Sequence, residues 1–194
     1  GTTGGARMTA VLGSATAMAA TEIVERARPL AAEILECNSE ALFFLNGLFL
    51  VKETNRSLAI EDLARLLAKP GQKHLLNCIH SYETDGATYP YGCHIVEVEI
   101  DKLTCAVQIV RYSVMDDFGH VINPMMLAGQ IHGGIAQGVG QALMENVVYD
   151  HSGQLLSGSL LDYALPRADH FPRFKIDMRN TLCANNVLGI KGAG

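Results

Sequence analysis

Gly129-Gln130-Ile131-His132-Gly133-Gly134-Ile135-Ala136-Gln137-Gly138-Val139-Gly140-Gln141-Ala142-Leu143 decides how this sequence is read. Ile131, Ile135, Ala142 and Leu143 recur at helical spacing, which predicts one buried helix face. Each glycine costs such a helix about 1 kcal/mol relative to alanine, so something must offset it. Close approach of another backbone or of a ligand is the expected offset, because a residue without Cβ leaves room for it. Gln130, Gln137 and Gln141 add amide groups that do not titrate, suited to an uncharged hydrogen-bonding wall around a large polar ligand. The other reading is a helix packed tightly on a neighbour, with its glutamines in water. Val121-Ile122-Asn123-Pro124 leads into this helix, which is expected to run to about Glu145.

Working outward, the 194 residues are 48% hydrophobic and 18% charged, enough for one substantial core or two small lobes. Lysine and arginine number 15 against 20 acidic residues, a net charge of −5 with no basic run, which argues against a nucleic-acid partner. Cys37, Cys78, Cys93, Cys105 and Cys183 form no C-x-x-C pair and are odd in number, so free thiols in a reducing, cytoplasmic compartment are expected. No stretch approaches the ~20 apolar residues of a membrane span. Ala10 to Ala20 is small and apolar but continues into Glu22-Ile23-Val24-Glu25-Arg26-Ala27-Arg28, which reads as a helix and not as a leader. A glycine-rich beginning without Met suggests a piece of a longer polypeptide.

Gly1-Thr2-Thr3-Gly4-Gly5-Ala6-Arg7-Met8-Thr9 feeds that helix, and its free N–H groups and arginine suit an anion such as phosphate. It is neither a Walker loop nor G-x-G-x-x-G, and a flexible chain end is the competing reading. The helix is expected to reach about Glu36, with Pro29 breaking or kinking it. Asn46-Gly47 between Ala41–Leu45 and Leu48–Lys52 signals a two-residue hairpin. Ile60, Leu63, Leu66 and Leu67 mark a short helix stopped by Lys69-Pro70-Gly71.

Residues 70 to 92 read as irregular, with turns at Asp85-Gly86 and Tyr89-Pro90-Tyr91-Gly92. From His94 the chain alternates, and with Cys105 to Met115 it predicts a hairpin with one buried face. His94 is then a partly buried strand residue. Asp116-Asp117 before Phe118-Gly119 suits a turn better than a metal or acid–base site. His151-Ser152-Gly153 is a turn, and Leu160 to Arg167 is apolar with a proline stop. Phe174, Ile176 and Met178 mark a last strand before the backbone-exposing loop Asn185 to Gly194. The expected architecture is α+β, helices and β-hairpins in two lobes. Residues 1–80 would carry the glycine loop and the Asn-Gly hairpin, and residues 81–194 the second hairpin, the Gly/Gln helix and the terminal loop. No Ser-His-Asp, Cys-His or H-E-x-x-H arrangement can be assembled. Three glycine- and amide-rich loops without a proton-transfer centre fit holding a large polar cofactor better than unaided chemistry.

These motifs, in order over nearly the whole chain, resemble the C-terminal molybdopterin-binding region of xanthine dehydrogenase, aldehyde oxidase and carbon monoxide dehydrogenase large subunits. Gly4-Gly5-Ala6-Arg7-Met8-Thr9 is similar to that family's G-G-S-R-S-T loop, and Glu97-Val98-Glu99-Ile100-Asp101 through Arg111-Tyr112 to its central hairpin. Val121–Pro124, Gly129–Gly138 and Asp162-Tyr163-Ala164-Leu165-Pro166-Arg167 follow in register. The resemblance implies oxidative hydroxylation of a small aldehyde or heteroaromatic substrate, or oxidation of carbon monoxide, at a molybdenum–molybdopterin cofactor with water as oxygen source. Gly4, Gly5, Ala6, Arg7 and Met8 would touch the cofactor through backbone groups, and Gln130 would hydrogen-bond it. Iron–sulfur clusters and FAD would lie on partner domains or subunits, and the upstream part of the same subunit would complete the site in a dimeric complex. A separate large subunit of bacterial type would favour the cytosine dinucleotide form of the cofactor.

Two departures bear on activity. Ala6 and Met8 replace the serines of the resembled loop, weakening two side-chain hydrogen bonds while still allowing a backbone cradle. The family's closing G-V-K-G-x-G-E carries the catalytic glutamate, whereas this sequence ends at Gly189-Ile190-Lys191-Gly192-Ala193-Gly194. The 194-residue chain alone is therefore expected to be inactive. A catalytically silent homologue or an assembly module, with the glycine helix as its interface, is the alternative, and a nucleotide-phosphate site at the first loop is a third.

Overall fold

The computed structural model describes residues 4–70, 75–84 and 86–193. Gly1 to Thr3, the Gly71 helix stop, Asp85 and Gly194 of the sequence reading lie outside the described residues. The chain divides into two units, Val11–Glu83 and the pair Gly1–Ala10 with Thr84–Gly194. The first glycine loop, expected with an N-terminal lobe, thus groups with the C-terminal residues.

In the Val11–Glu83 unit, helix α1 (Gly13–Ile34) lies beside a three-stranded antiparallel sheet of β1 (Leu42–Leu45), β2 (Leu48–Val51) and β3 (Ser57–Ala59), followed by α2 (Ile60–Leu67). Asn46 and Gly47 both take positive φ, +49° and +82°, as the two-residue turn requires, and Leu45 pairs with Leu48. β3 was not foreseen, since three residues are too few to show a period of two. Ala27 and Ala31, one helical turn apart, let α1 approach Phe49, Leu42, Val51 and Leu63 closely, and this cluster is the core of the unit. Pro29 does not break α1. It removes one N–H, and the packed alanines around it hold the helix across the gap.

In the other unit, β4 (Tyr91–Ile100), β5 (Val107–Asp117) and β6 (Lys175–Arg179) form a second sheet in that order. β4 and β5 are the expected hairpin, but β6 runs parallel to β5 and is not part of a hairpin. A parallel pair needs a crossover, and α3 (Pro124–Leu143) provides it. Asn123 starts α3, its Oδ1 accepting the Met126 N–H at 3.1 Å with Pro124 in the first turn. Ile131 and Ile135 are buried against Val114, with Ile176 and Met178 of β6 packed beside them.

Two expectations are overturned here, those for the Ala142–Leu143 stripe and for the buried face of β4. Ala142 and Leu143 are exposed, so the buried stripe of α3 continues instead through Leu127 and Val139. A Cβ added at Gly129, Gly133, Gly134 or Gly138 would meet nothing within 4 Å among the described residues, so no described part of this chain approaches those glycines closely. At Gly140 it would meet the Glu145 carboxylate and the Pro166 ring. The β4–β5 hairpin does not bury a face of β4: all ten residues of that strand are exposed. It is one of the two edge strands, while α3 packs on β5 and β6, and its register shifts between Glu97 and Val98.

Candidate functional site

The site begins where β5 ends. Asp116 and Asp117 are its last residues, both buried, and not the exposed turn the sequence suggests. Asp117 is 2% exposed and accepts hydrogen bonds from Lys191 Nζ at 2.8 Å, the Gly119 N–H at 2.9 Å and the Thr181 N–H at 3.1 Å. Burial opposes its charge, but the hydrogen bonds from Lys191, Thr181 and Gly119 prevail and hold the carboxyl well below the usual carboxylate range. Burial also works against the Lys191 ammonium, and Asp117 overrides it, raising the Lys191 pKa. The ammonium lies 4.3 Å from the centre of the Tyr91 ring, over its face.

The terminal segment is thereby laid along the end of β5. Gly119 and Ile190 form an isolated antiparallel bridge, the Lys191 N–H donates to the Phe118 carbonyl at 2.8 Å and the His120 N–H donates to the Gly189 carbonyl at 2.9 Å. Gly119 and Gly189 sit at φ +66° and +68°, a region that suits glycine. Asn186 clips the loop from within: its amide donates to the Ile190 carbonyl at 2.8 Å and its oxygen accepts the Ile190 N–H at 3.0 Å.

That path brings Gly192 against the first glycine loop. A Cβ on Gly192 would lie 2.5 Å from the Gly5 carbonyl oxygen, so the two backbones come this close because Gly192 has no side chain. Gly5 and Ala6 adopt φ +52° and +57°, turning the loop into the helical residues that follow, and the Ala10 N–H donates to the Ala6 carbonyl at 2.9 Å. A non-glycine residue in that region costs about 1–2 kcal/mol, strain that the neighbouring contacts must hold.

Ala6 and Gln130, 124 positions apart, line one cavity of about 310 Å³ together with Phe118, Met126, Lys191 and Ala193. A second cavity of about 240 Å³ shares Phe118, Gln130 and Ala193 with the first and adds Tyr91, His94 and Asp116. Gln130 thus stands on the wall common to both, fixed beside the buried Ile131. His94, expected to be partly buried, is exposed; its Nε2 lies 3.3 Å from Asp116 Oδ1 and its Nδ1 3.1 Å from the Tyr112 hydroxyl. Burial, and then the Asp116 charge, raise the Tyr112 phenol.

Of the residues singled out in sequence, Ala6 and Gln130 therefore line one cavity. Gly5 backs onto Gly192, while Gly4, Arg7 and Met8 are exposed and do not line the cavity. Gln137 and Gln141 are exposed and do not line it either. Asp117 and Lys191 were not foreseen as partners, because 74 residues separate them. Among the described residues no three His, Cys, Asp or Glu side chains gather as a metal site, and no helix is long and apolar enough to cross a membrane.

Known proteins share this fold. Residues 1–172 match the family model described as "Molybdopterin cofactor-binding domain". The carbon monoxide dehydrogenase large chain of Hydrogenophaga pseudoflava is 36% identical over 97% of this chain and 24% of its own length. The 6-hydroxypseudooxynicotine dehydrogenase complex subunit gamma of Paenarthrobacter nicotinovorans is 34% identical over 97% of this chain and 24% of its own. The solved structure of reconstituted CO dehydrogenase from Oligotropha carboxidovorans superposes with a TM-score of 0.86 at 32% identity, over 99% of this chain and 24% of that one. The chain spans about a quarter of the length of these relatives. It belongs to the molybdopterin cofactor-binding domain family of the molybdenum hydroxylase large subunits.

Proposed function

We propose that this chain is the part of a molybdenum hydroxylase large subunit that holds molybdenum–molybdopterin between its first glycine loop and the start of α3. The observation that supports this most directly is the single cavity bordered by Ala6, Gln130 and Ala193. Its chemistry fits the group. Gly4 and Gly5 have nothing within 4 Å of where a Cβ would stand, so backbone N–H and C=O groups can approach a large ligand. Ala6 and Ala193 keep the walls low, and Gln130 offers a neutral amide donor and acceptor. Lys191 is already matched by Asp117, so it adds no net charge to the wall.

On this reading Gly4, Gly5, Ala6, Arg7 and Met8 present backbone groups to the pterin and Gln130 hydrogen-bonds it. When bound, the cofactor supplies a two-electron acceptor for a substrate C–H bond or carbon monoxide, and water supplies the oxygen. The protein's part is to orient the pterin, through preorganised amides that need not reorganise during reaction. Substrate-selecting side chains, iron–sulfur clusters and FAD would belong to the upstream part of the subunit and to partner subunits, in a dimeric cytoplasmic complex. The cofactor held would be the cytosine dinucleotide form. The chain would then be one portion of a larger cofactor-binding part, inactive when isolated.

The alternative, a catalytically silent assembly module, draws on the exposed β4 and the open glycines of α3. Turnover decides between them. The complete subunit with its co-purifying partners, given small aldehydes, N-heteroaromatics and carbon monoxide in heavy-oxygen water, should reduce an electron-accepting dye and place labelled oxygen in the product. Dye reduction by none of these, from protein carrying a full complement of cofactor, would favour the silent module.

A further inference from the structure

Asp117 and Lys191 form an ion pair buried on both sides, 2% and 7% exposed at the side chain. Buried pairs are poor sources of stability, because desolvation offsets most of their attraction. Their strength is direction: a lysine in such a place has one position in which its charge is matched. Here that position governs backbone. Lys191 lines the first cavity, and its ammonium lies over Tyr91, which lines the second. Immediately after it come Gly192, in contact with Gly5, and Ala193, which lines both cavities. Asp117 is equally committed, accepting from Lys191, Gly119 and Thr181 at once.

We propose that Asp117 and Lys191 are positioning residues for the cofactor site, pinning the Ile190–Ala193 backbone so that it closes the first glycine loop into a cradle. This rests on the molybdopterin reading above. Pair and cofactor are then energetically coupled, so each strengthens the other by the same factor. A purely structural pair would stabilise the loaded and cofactor-free protein equally.

The test uses the full subunit with its partners, prepared loaded from a normal host and cofactor-free from a host that cannot make molybdopterin. Pterin per chain is read by fluorescence after oxidative release, and unfolding midpoints are taken for both forms. Lys191→Met should lower pterin per folded chain about tenfold, a typical coupling, and shrink the midpoint difference between the two forms. The double variant Asp117→Asn with Lys191→Met leaves no unmatched charge, so its cofactor-free midpoint should recover while its pterin content stays low. Equal lowering of both midpoints by Lys191→Met with pterin per folded chain unchanged, or a double variant that retains pterin as wild type does, would overturn the proposal. A wild-type subunit without pterin, from cells that load other molybdoenzymes, would instead remove the underlying reading and the inference with it.

Discussion

Gly192→Ala is a one-carbon change whose effect follows from the contact it makes. The added Cβ would stand 2.5 Å from the Gly5 carbonyl oxygen and 3.0 Å from its carbon, where ordinary contact begins at 3.4 Å. Both sides are backbone, so no rotamer change can relieve the overlap. The two segments must separate by about 0.9 Å to restore ordinary contact. On one side the Asp117–Lys191 pair and the Asn186 clip resist, and on the other Gly5 and Ala6 already sit at positive φ. Overpacking of this kind costs about 1–3 kcal/mol, which at ~1.4 kcal/mol per decade is about 5- to 150-fold in an equilibrium. The cradle, and not a hydrophobic core, takes that displacement. The expected outcome is therefore a fall of this size in pterin affinity of the full subunit, read as pterin retained per chain through dilution series. Wild-type retention by Gly192→Ala would refute the claim that the close approach of Gly192 to Gly5 forms the cofactor wall.

The same substitution elsewhere should have the opposite sign. Gly129→Ala meets nothing within 4 Å and should raise the stability of the 194-residue chain by about 0.5–1 kcal/mol in denaturant titrations; a loss would show a hidden close approach. Phe49→Ala removes a fully buried ring packed 4.9 Å from the Phe44 ring centre and should cost about 3–5 kcal/mol, seen as early unfolding of the Val11–Glu83 unit by hydrogen exchange. Asn123→Ala removes the cap of α3 and should cost about 1 kcal/mol in the same titrations, with Asn123→Asp retaining most of it. Because the folded pKa of Asp117 is depressed, its contribution to stability is complete above the unfolded pKa. It is lost as pH falls below about 4 toward the folded value. The difference in unfolding midpoint between wild type and Asp117→Asn should therefore narrow as pH falls through that range. A gap independent of pH would contradict the ion-pair assignment.

What was legible in the sequence was local. Asn46-Gly47, Asn123-Pro124 and the run from Ile60 to Leu67 carry their conformations in their own turn, cap and period, and the structure places a hairpin, a helix start and a helix there. The elements that escaped depend on partners distant in the chain. The parallel pairing of β6 with β5 depends on α3 crossing between them, and alternation alone does not distinguish it from a hairpin. The exposure of β4 was illegible for the same reason, since an alternating pattern says that a strand has an apolar face but not what covers it. Glycine in α3 suggested close contact, which only Gly140 of that helix makes among the described residues, while Gly92, Gly119 and Gly192 make such contacts outside it. Of the candidate site, Ala6 and Gln130 were found through family motifs, and the structure adds the cavity they share. Asp117 and Lys191 could not be paired from sequence, since an acidic doublet before Phe118-Gly119 carries the signature of a turn.

Cofactor content decides whether these glycine loops hold molybdenum–molybdopterin. Elemental mass spectrometry of the complete subunit, purified from its own host with whatever co-elutes and paired with pterin release, tests it most directly. About one molybdenum and one pterin per chain are expected, both diminished together in Gly192→Ala. Absence of both from cells that load their other molybdoenzymes normally would contradict it.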